Sequence, residues 1–489
     1  MQYRMNAIAT SITSRLPWVN SKNIFLAWLI FFLISTVLSF SRSDMQFTSQ
    51  WDEMYHLSYI QYASQGVIPA WGYPLNDWGK TAFSCYPVSL IGITTPVPCN
   101  EIGPGSMYPT GGTNTASNWP PVYYFLTAIL MAPIKLIFGI TDNLFAARYA
   151  TALIWAAGTA FLSLIVRVKS KSFVLGLTFS LLATSLSLFG QSASYISPHS
   201  TVPLLLALGI FVAFRLEKQF ENLSQNWKTI GPWPRTLEMF RGSWPVISFG
   251  ALLALTVPHA FPILIALGVY VFVGVLFRYR QNFSRIIGFS ALTALVLGSA
   301  AGLFFIAYRL WGWQHTIRTV PFPDDVNPAS ADVLAMSSYP DFIRQLIALW
   351  WEFWPLGLSN PWLQGAAAIF IENVWVFFLA ALILTALATL GVGHWLFRLS
   401  LGLVVTAPVA SNLAFSTLQF AIPERYGMAM VLLGLFGVAN ENLTKIFRGV
   451  LLAAAIATYI ISFFYSPLPF APTVCPPGQF NGALGCVLP

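Results

Sequence analysis

Charge is what this chain lacks first. Of its 489 residues only 9% are Asp, Glu, Lys or Arg, while 56% are hydrophobic, and the mean hydropathy is +0.67. A soluble domain carries about 25% charged residues. A deficit that large excludes a soluble enzyme, a nucleic-acid binder and a disordered chain. Cysteine is scarce too: there are 4, none within a long apolar run. No Gly-x-x-x-x-Gly-Lys-Ser/Thr loop occurs. The usual cradle for a nucleotide phosphate is therefore missing, and ATP-driven transport is not supported. No internal repeat, Ser/Gly linker or low-complexity tract divides the chain, so residues 1–489 read as one integral domain.

What is abundant points the same way. Aromatics reach 16%, with 18 Trp, and there are 32 Pro. Such content suits interfacial belts and interrupted helices. Apolar segments of about 17–25 residues are candidate spans. The sequence predicts an all-α polytopic membrane protein with about eleven of them: 23–40, 146–166, 172–190, 200–216, 245–258, 262–277, 286–308, 366–390, 399–416, 427–439 and 450–465. The apolar run that follows the N-terminal segment has no small-residue cleavage site after it, only Ser41-Arg42-Ser43-Asp44. It reads as a retained first span.

Loop charge sets the expected orientation. Arg4, Arg15 and Lys22 precede the first span with no acid among them, and Arg167-Val168-Lys169-Ser170-Lys171 forms a short basic connection. Both belong on the cytoplasmic side. Two complete crossings do not fit between the loop after residue 40 and that connection. The apolar stretch Trp119–Ile140 contains Pro120, Pro121, Pro133 and Lys135, so it reads as an interfacial or re-entrant helix. The inner side then carries 17 Lys+Arg and 4 acids, and the outer side 8 and 13. The N-terminus is expected inside and the C-terminus outside. Two large outer loops, 41–145 and 309–365, and a tail, 466–489, carry all four cysteines. Cys85–Cys99 and Cys475–Cys486 are expected as local disulfides in an oxidising compartment, with free thiols as the alternative.

Chemistry-bearing residues gather on that outer side. Trp51-Asp52-Glu53-Met54-Tyr55-His56 places two carboxylates and an imidazole about ten residues past the first span. On a helix, 52 and 56 share a face. A carboxylate there could serve as a general base or hold a divalent cation; an acidic helix start is the plainer reading. Asn118-Trp119-Pro120-Pro121-Val122-Tyr123-Tyr124 could shape a lipid-facing groove, although proline at a helix start is ordinary. Ala147-Arg148-Tyr149 offers a guanidinium that could snorkel or grip a phosphate. Ser197-Pro198-His199 and Val257-Pro258-His259 supply two loop histidines, either of which could be structural. Pro423-Glu424-Arg425-Tyr426 sets an arginine at the outer start of a span, where an anionic head group would answer it. Glu424 could equally be its partner.

Taken together, Asp52-Glu53 with His56, Pro120 to Tyr124, Ala147-Arg148 and Arg425-Tyr426 resemble the motifs of the GT-C superfamily of polytopic membrane glycosyltransferases, in particular its bacterial branch. The resemblance spans residues 23–430. It implies transfer of a sugar from a polyprenyl-phosphate donor to a glycan, lipid or protein acceptor of the cell envelope, with inversion, outside a bacterial plasma membrane. It implies Asp52 as the base, with Glu53 and His56 orienting it or binding acceptor. Arg148, Arg425 and Tyr426 would neutralise the leaving lipid phosphate, where charge develops in the transition state. Tyr123, Tyr124, His199, His259 and Glu424 would contact acceptor or lipid. Several such enzymes have a second acidic site in the next outer turn. Here that turn is Ser197-Pro198-His199, with no carboxylate: His199 could substitute for it, the enzyme could work without metal, or a divalent cation, if any, would fall to Asp52 and Glu53. A transporter or flippase for a lipid-linked saccharide is the competing expectation. It would share the grooves and arginines, but interrupted repeats near mid-membrane are its common mark.

Overall fold

The structure, a computed structural model, describes residues 21–44, 53–70, 72–86, 98–99, 101–186, 192–225, 244–257, 260–278, 302–303, 306–307, 310, 366–417, 424–464, 473–474 and 486–487. They are overwhelmingly helical. In chain order the helices are α1 (Ser21–Ser43), α2 (Glu53–Ser64), α3 (Asp77–Cys85), α4 (Val122–Phe138), α5 (Asn143–Ser170), α6 (Phe173–Ser185), α7 (Val202–Gln225), α8 (Trp244–Ala254), α9 (Pro262–Arg278), α10 (Ala366–Thr389), α11 (Trp395–Thr417), α12 (Glu424–Leu435) and α13 (Lys445–Phe464). A two-residue parallel pairing of Thr473–Val474 with Cys486–Val487 is the small departure from an all-α expectation.

Among the described residues four helices are long and apolar enough to cross a membrane: Asn23–Ser43, Asn143–Ser170, Pro198–Asn222 and Lys445–Phe463. Several shorter apolar helices pack beside them. Ten of the expected stretches overlap helices, four of them helices long enough to cross, and 286–308 lies almost wholly outside the described residues. The outer faces are those of helices meeting lipid: on α1, Phe25, Leu33 and Val37 are exposed while Phe31 and Leu38 are buried. Water would penalise that apolar surface; hydrocarbon does not.

Local chemistry fixes the helix ends. Asp142 caps α5 by accepting from the N–H groups of Leu144 and Phe145. Arg167 and Lys169 occupy its last turn, where the negative helix end favours cations, and Lys171 closes it in the left-handed conformation. Gly158 lets α5 cross the start of α7 closely: a Cβ there would lie 2.4 Å from the Leu204 nitrogen.

Several of the described basic residues gather at one end of the bundle. Arg167 donates to the Asn23 carbonyl at 2.6 Å, joining the end of α5 to the start of α1. Lys169 lies 3.7 Å from the Phe214 ring centroid on α7. Arg398 on α11 pairs with Glu217 near the end of α7, and His394 with Glu441 before α13.

The opposite end carries a small cap with its own core, formed by α2, α3, α4 and three short 3-10 turns between 105 and 118. Ser58 is its hub: its hydroxyl accepts from the Asn76 backbone and from the Asn114 amide, and its carbonyl from the Asn76 amide. Cys85 and Cys99 are disulfide-bonded, as expected, at the end of α3. Cys475 lies outside the described residues, and so does the second expected bridge. The Trp119–Ile140 stretch becomes α4. Its Tyr123 hydroxyl bonds to Thr151 at 2.8 Å, and Lys135 near its other end bonds to Asn143. Those partners are eight residues apart on α5, about 12 Å along its axis. α4 therefore lies over the first turns of α5 and does not run the length of the bundle.

Candidate functional site

Four motifs that are scattered in sequence meet at the capped end. Glu53 opens α2, where a negative side chain suits the positive helix end. Its carboxylate is fully buried, and burial of an unpaired charge is costly. Arg148, in the second turn of α5 and equally buried, answers it: Nε donates to Oε1 and Nη2 to Oε2, both at 2.7 Å. This is the bidentate fork geometry in which an arginine binds a carboxylate best. The Ile196 N–H adds a third bond to Oε1, at 3.0 Å. Arg148 Nη1 donates to the Ser43 carbonyl at 3.3 Å, and the guanidinium lies over the Tyr195 ring, 5.1 Å from its centroid. One ion pair thus ties together the end of α1, the start of α2, the first turns of α5 and the 194–196 segment.

His56 follows Glu53 by three residues, on the same side of α2. It is buried, and its Nδ1 shares a 2.7 Å hydrogen bond with the Tyr124 hydroxyl. Tyr59 stacks on Tyr124 with centroids 3.7 Å apart. Trp119 stands edge-on to His56 at 6.2 Å and to His199 at 5.2 Å, so one indole bridges the two histidines. His199 is buried, with its Nδ1 3.2 Å from the Ser197 hydroxyl. The double proline starts α4 so that Tyr123 and Tyr124 both point into this cluster and are fully buried. At its rim the Tyr86 hydroxyl donates to Asp142 at 2.5 Å, and burial together with that carboxylate pushes the phenol up from its usual range.

The arrangement separates roles that the sequence alone left open. Both oxygens of Glu53 are engaged by Arg148, so Glu53 is poorly placed to accept a substrate proton. Those same bonds leave it unsuited to a divalent cation. Among the described residues no three His, Cys, Asp or Glu side chains converge as metal ligands. Asp52, which immediately precedes Glu53, lies outside the described residues, as does His259. The turn before His259 does approach the site, because the Val122 N–H donates to the Leu255 carbonyl at 3.2 Å. Glu424, Arg425 and Tyr426 form the first turn of α12, at the end of that helix away from Glu441; their side chains are not among those described.

Sequence reasoning passed over one residue here. Arg42 was legible only as part of a stretch without a cleavage site, yet it is 4% exposed in the last turn of α1. The available signal was an arginine inside the terminal turn of an otherwise apolar helix. Comparison with known proteins adds no assignment: no protein-family model matches the chain, and no curated protein matches it.

Proposed function

We propose that this protein is a membrane glycosyltransferase. It moves a glycosyl residue from a polyprenyl-phosphate-linked sugar to an acceptor of the cell envelope, on the extracytoplasmic side, with inversion. The observation that carries the reading is the meeting of Glu53, His56, Tyr124, Arg148 and His199 at the end of the bundle opposite the basic loops. By loop charge that end faces outward, with the N-terminus cytoplasmic and the C-terminal tail outside.

In this reading the acceptor oxygen attacks the anomeric carbon while the bond to the lipid phosphate oxygen breaks. Asp52 takes the acceptor proton, and the products are the glycosylated acceptor and polyprenyl phosphate. Glu53 is a positioning residue: locked by Arg148 and Ile196, it fixes the start of α2 and so the residue before it. Arg148, with Nε, Nη1 and Nη2 all engaged, acts in the same way. Arg425 and Tyr426 neutralise the leaving phosphate. His56, Tyr123, Tyr124, His199, His259 and Glu424 line the acceptor and lipid paths.

The test is sugar transfer by purified protein from a polyprenyl-phosphate sugar, read by mass spectrometry. Asp52→Asn should lower turnover by about 100-fold to 10,000-fold, the usual contribution of a general base, with an unchanged melting temperature. Undiminished turnover rejects Asp52. Movement of intact donor between leaflets without transfer identifies a flippase instead.

A further inference from the structure

Two side-chain contacts that join α2 and α3 to the start of α5 differ in where they lie. The Glu53–Arg148 fork is fully buried. The Tyr86–Asp142 bond lies at the rim, between two half-buried side chains. Between them they close a ring. α3 is pressed on α2: a Cβ at Gly79 would lie 2.8 Å from the Met54 carbonyl oxygen, and the Trp78 N–H donates to the Gln61 side chain at 2.9 Å. Tyr86 follows the last residue of α3, and its N–H donates to the Ala82 carbonyl. Its hydroxyl donates to Asp142 Oδ2, and its ring meets Phe145 edge-on at 5.7 Å. Asp142 caps α5 with its other oxygen, accepting from the N–H of Leu144 at 2.7 Å and of Phe145 at 3.3 Å. Arg148 follows Leu144 by four residues, the spacing at which a helical N–H meets a carbonyl. From Arg148 the ring returns through Glu53 to the start of α2.

The shared carboxylate is the point of leverage. One oxygen of Asp142 caps the helix, and the Tyr86 hydroxyl holds the other, which fixes the plane of the group. Burial, together with that carboxylate, pushes the Tyr86 phenol up from its usual range, so it remains a donor at neutral pH. Tyr86 is itself anchored by its neighbour: Cys85 is bonded to Cys99. Cys99 is exposed, so a soluble dithiol can reach the bridge, whereas the buried fork is closed to any reagent.

We propose that Tyr86 is a positioning residue for the transfer reaction, and that the Cys85–Cys99 disulfide, by holding it against Asp142, makes the reaction redox-sensitive. A dithiol gives two electrons and two protons to the bridge, leaving two cysteine thiols and its own disulfide. The end of α3 is then released, the hydroxyl leaves Asp142, and the first turn of α5 loosens around Arg148. The change reaches the chemistry through Glu53 and the residue before it. The proposal rests on the glycosyltransferase reading for the activity that is modulated, but not for the coupling itself.

The test uses full-length protein in nanodiscs and two readouts, hydrogen exchange in segments 53–60 and 143–150 and sugar transfer from a polyprenyl-phosphate sugar. Dithiothreitol should speed exchange in both segments and lower kcat by about fivefold, the worth of one hydrogen bond, with KM little changed. Reoxidation should restore both. Tyr86→Phe keeps the ring on Phe145 and removes the bond. It should reproduce the loss in the oxidised protein and make reduction silent, as coupled groups do in a double-mutant cycle. Cys475→Ser with Cys486→Ser should stay sensitive to dithiothreitol; loss of the response in that variant moves it to the tail and overturns the proposal. Losses that multiply when Tyr86→Phe is reduced show that the bridge does not act through Tyr86, and they overturn it too. So does an unchanged kcat, or a loss matched by a lowered melting temperature. If exchange behaves as expected while no form transfers sugar, the glycosyltransferase reading fails and the coupling stands.

Discussion

Among the described residues the bundle holds two Arg–Glu pairs, one at each end, and they are built to different standards. At the capped end Glu53 and Arg148 meet by two 2.7 Å bonds, and a backbone N–H completes the carboxylate. At the basic end Arg398 reaches Glu217 with Nη2 alone, at 2.9 Å. The Tyr270 hydroxyl takes the other Glu217 oxygen at 2.8 Å, while Nε and Nη1 of Arg398 have no partner among the described residues. Its guanidinium lies against Gly274, where a Cβ would come within 1.8 Å of Nη1. A saturated pair is a rigid joint, whereas a pair with spare donors tolerates rearrangement. The difference teaches that the capped end is pre-organised, which is what a site that positions reacting groups requires. The basic end clamps α7, α9 and α11 with looser geometry.

That contrast can be broken experimentally. Glu53→Gln should have the largest effect, because it strands a fully buried guanidinium. A loss of about 3–5 kcal/mol is expected, read as a lowered melting temperature in detergent. A loss below about 1 kcal/mol would mean that Arg148 is easily released and free to grip a phosphate. Gly274→Ala comes next. It forces the Arg398 guanidinium aside and should cost about 1–3 kcal/mol, the usual penalty for overpacking. The cost should largely vanish in an Arg398→Met background, as a double-mutant cycle would reveal. Additive effects would show that Gly274 does not act through Arg398. Tyr124→Phe is the mildest: it removes the 2.7 Å bond to His56 but keeps the stack on Tyr59, for about 0.5–1.5 kcal/mol. If His56 lines the acceptor path, the same change should raise KM for acceptor more than it lowers kcat. An unchanged KM would make His56 purely structural.

Much of the fold was legible because apolar run length and helix ends are local properties. The run around 146–166 sits inside α5, and 262–277 differs from α9 by one residue. Pro133 and Lys135 marked Trp119–Ile140 as different in kind, and α4 indeed lies over the first turns of α5. The site was legible only as a set of motifs. Glu53 and Arg148 are 95 positions apart, and spacing does not say that one would occupy the other. Nor did it show that Trp119 would stand between His56 and His199. Arg42 was missed because a lone arginine at a helix end is usually a snorkelling residue; only its burial against the Thr184 and Ser462 carbonyls distinguishes it.

The sequence by itself determined that this chain is built of apolar stretches suited to a membrane, that a basic connection, Arg167 to Lys171, closes one of them, and that Cys85 and Cys99 are close enough in the chain to bridge. Each follows from hydropathy, charge or short-range geometry. Only the tertiary structure decided which arginine is spent on a carboxylate and which is left with donors to spare. That depends on partners brought together from α1, α2, α5, α6 and α13, and packing, not local sequence, chooses them.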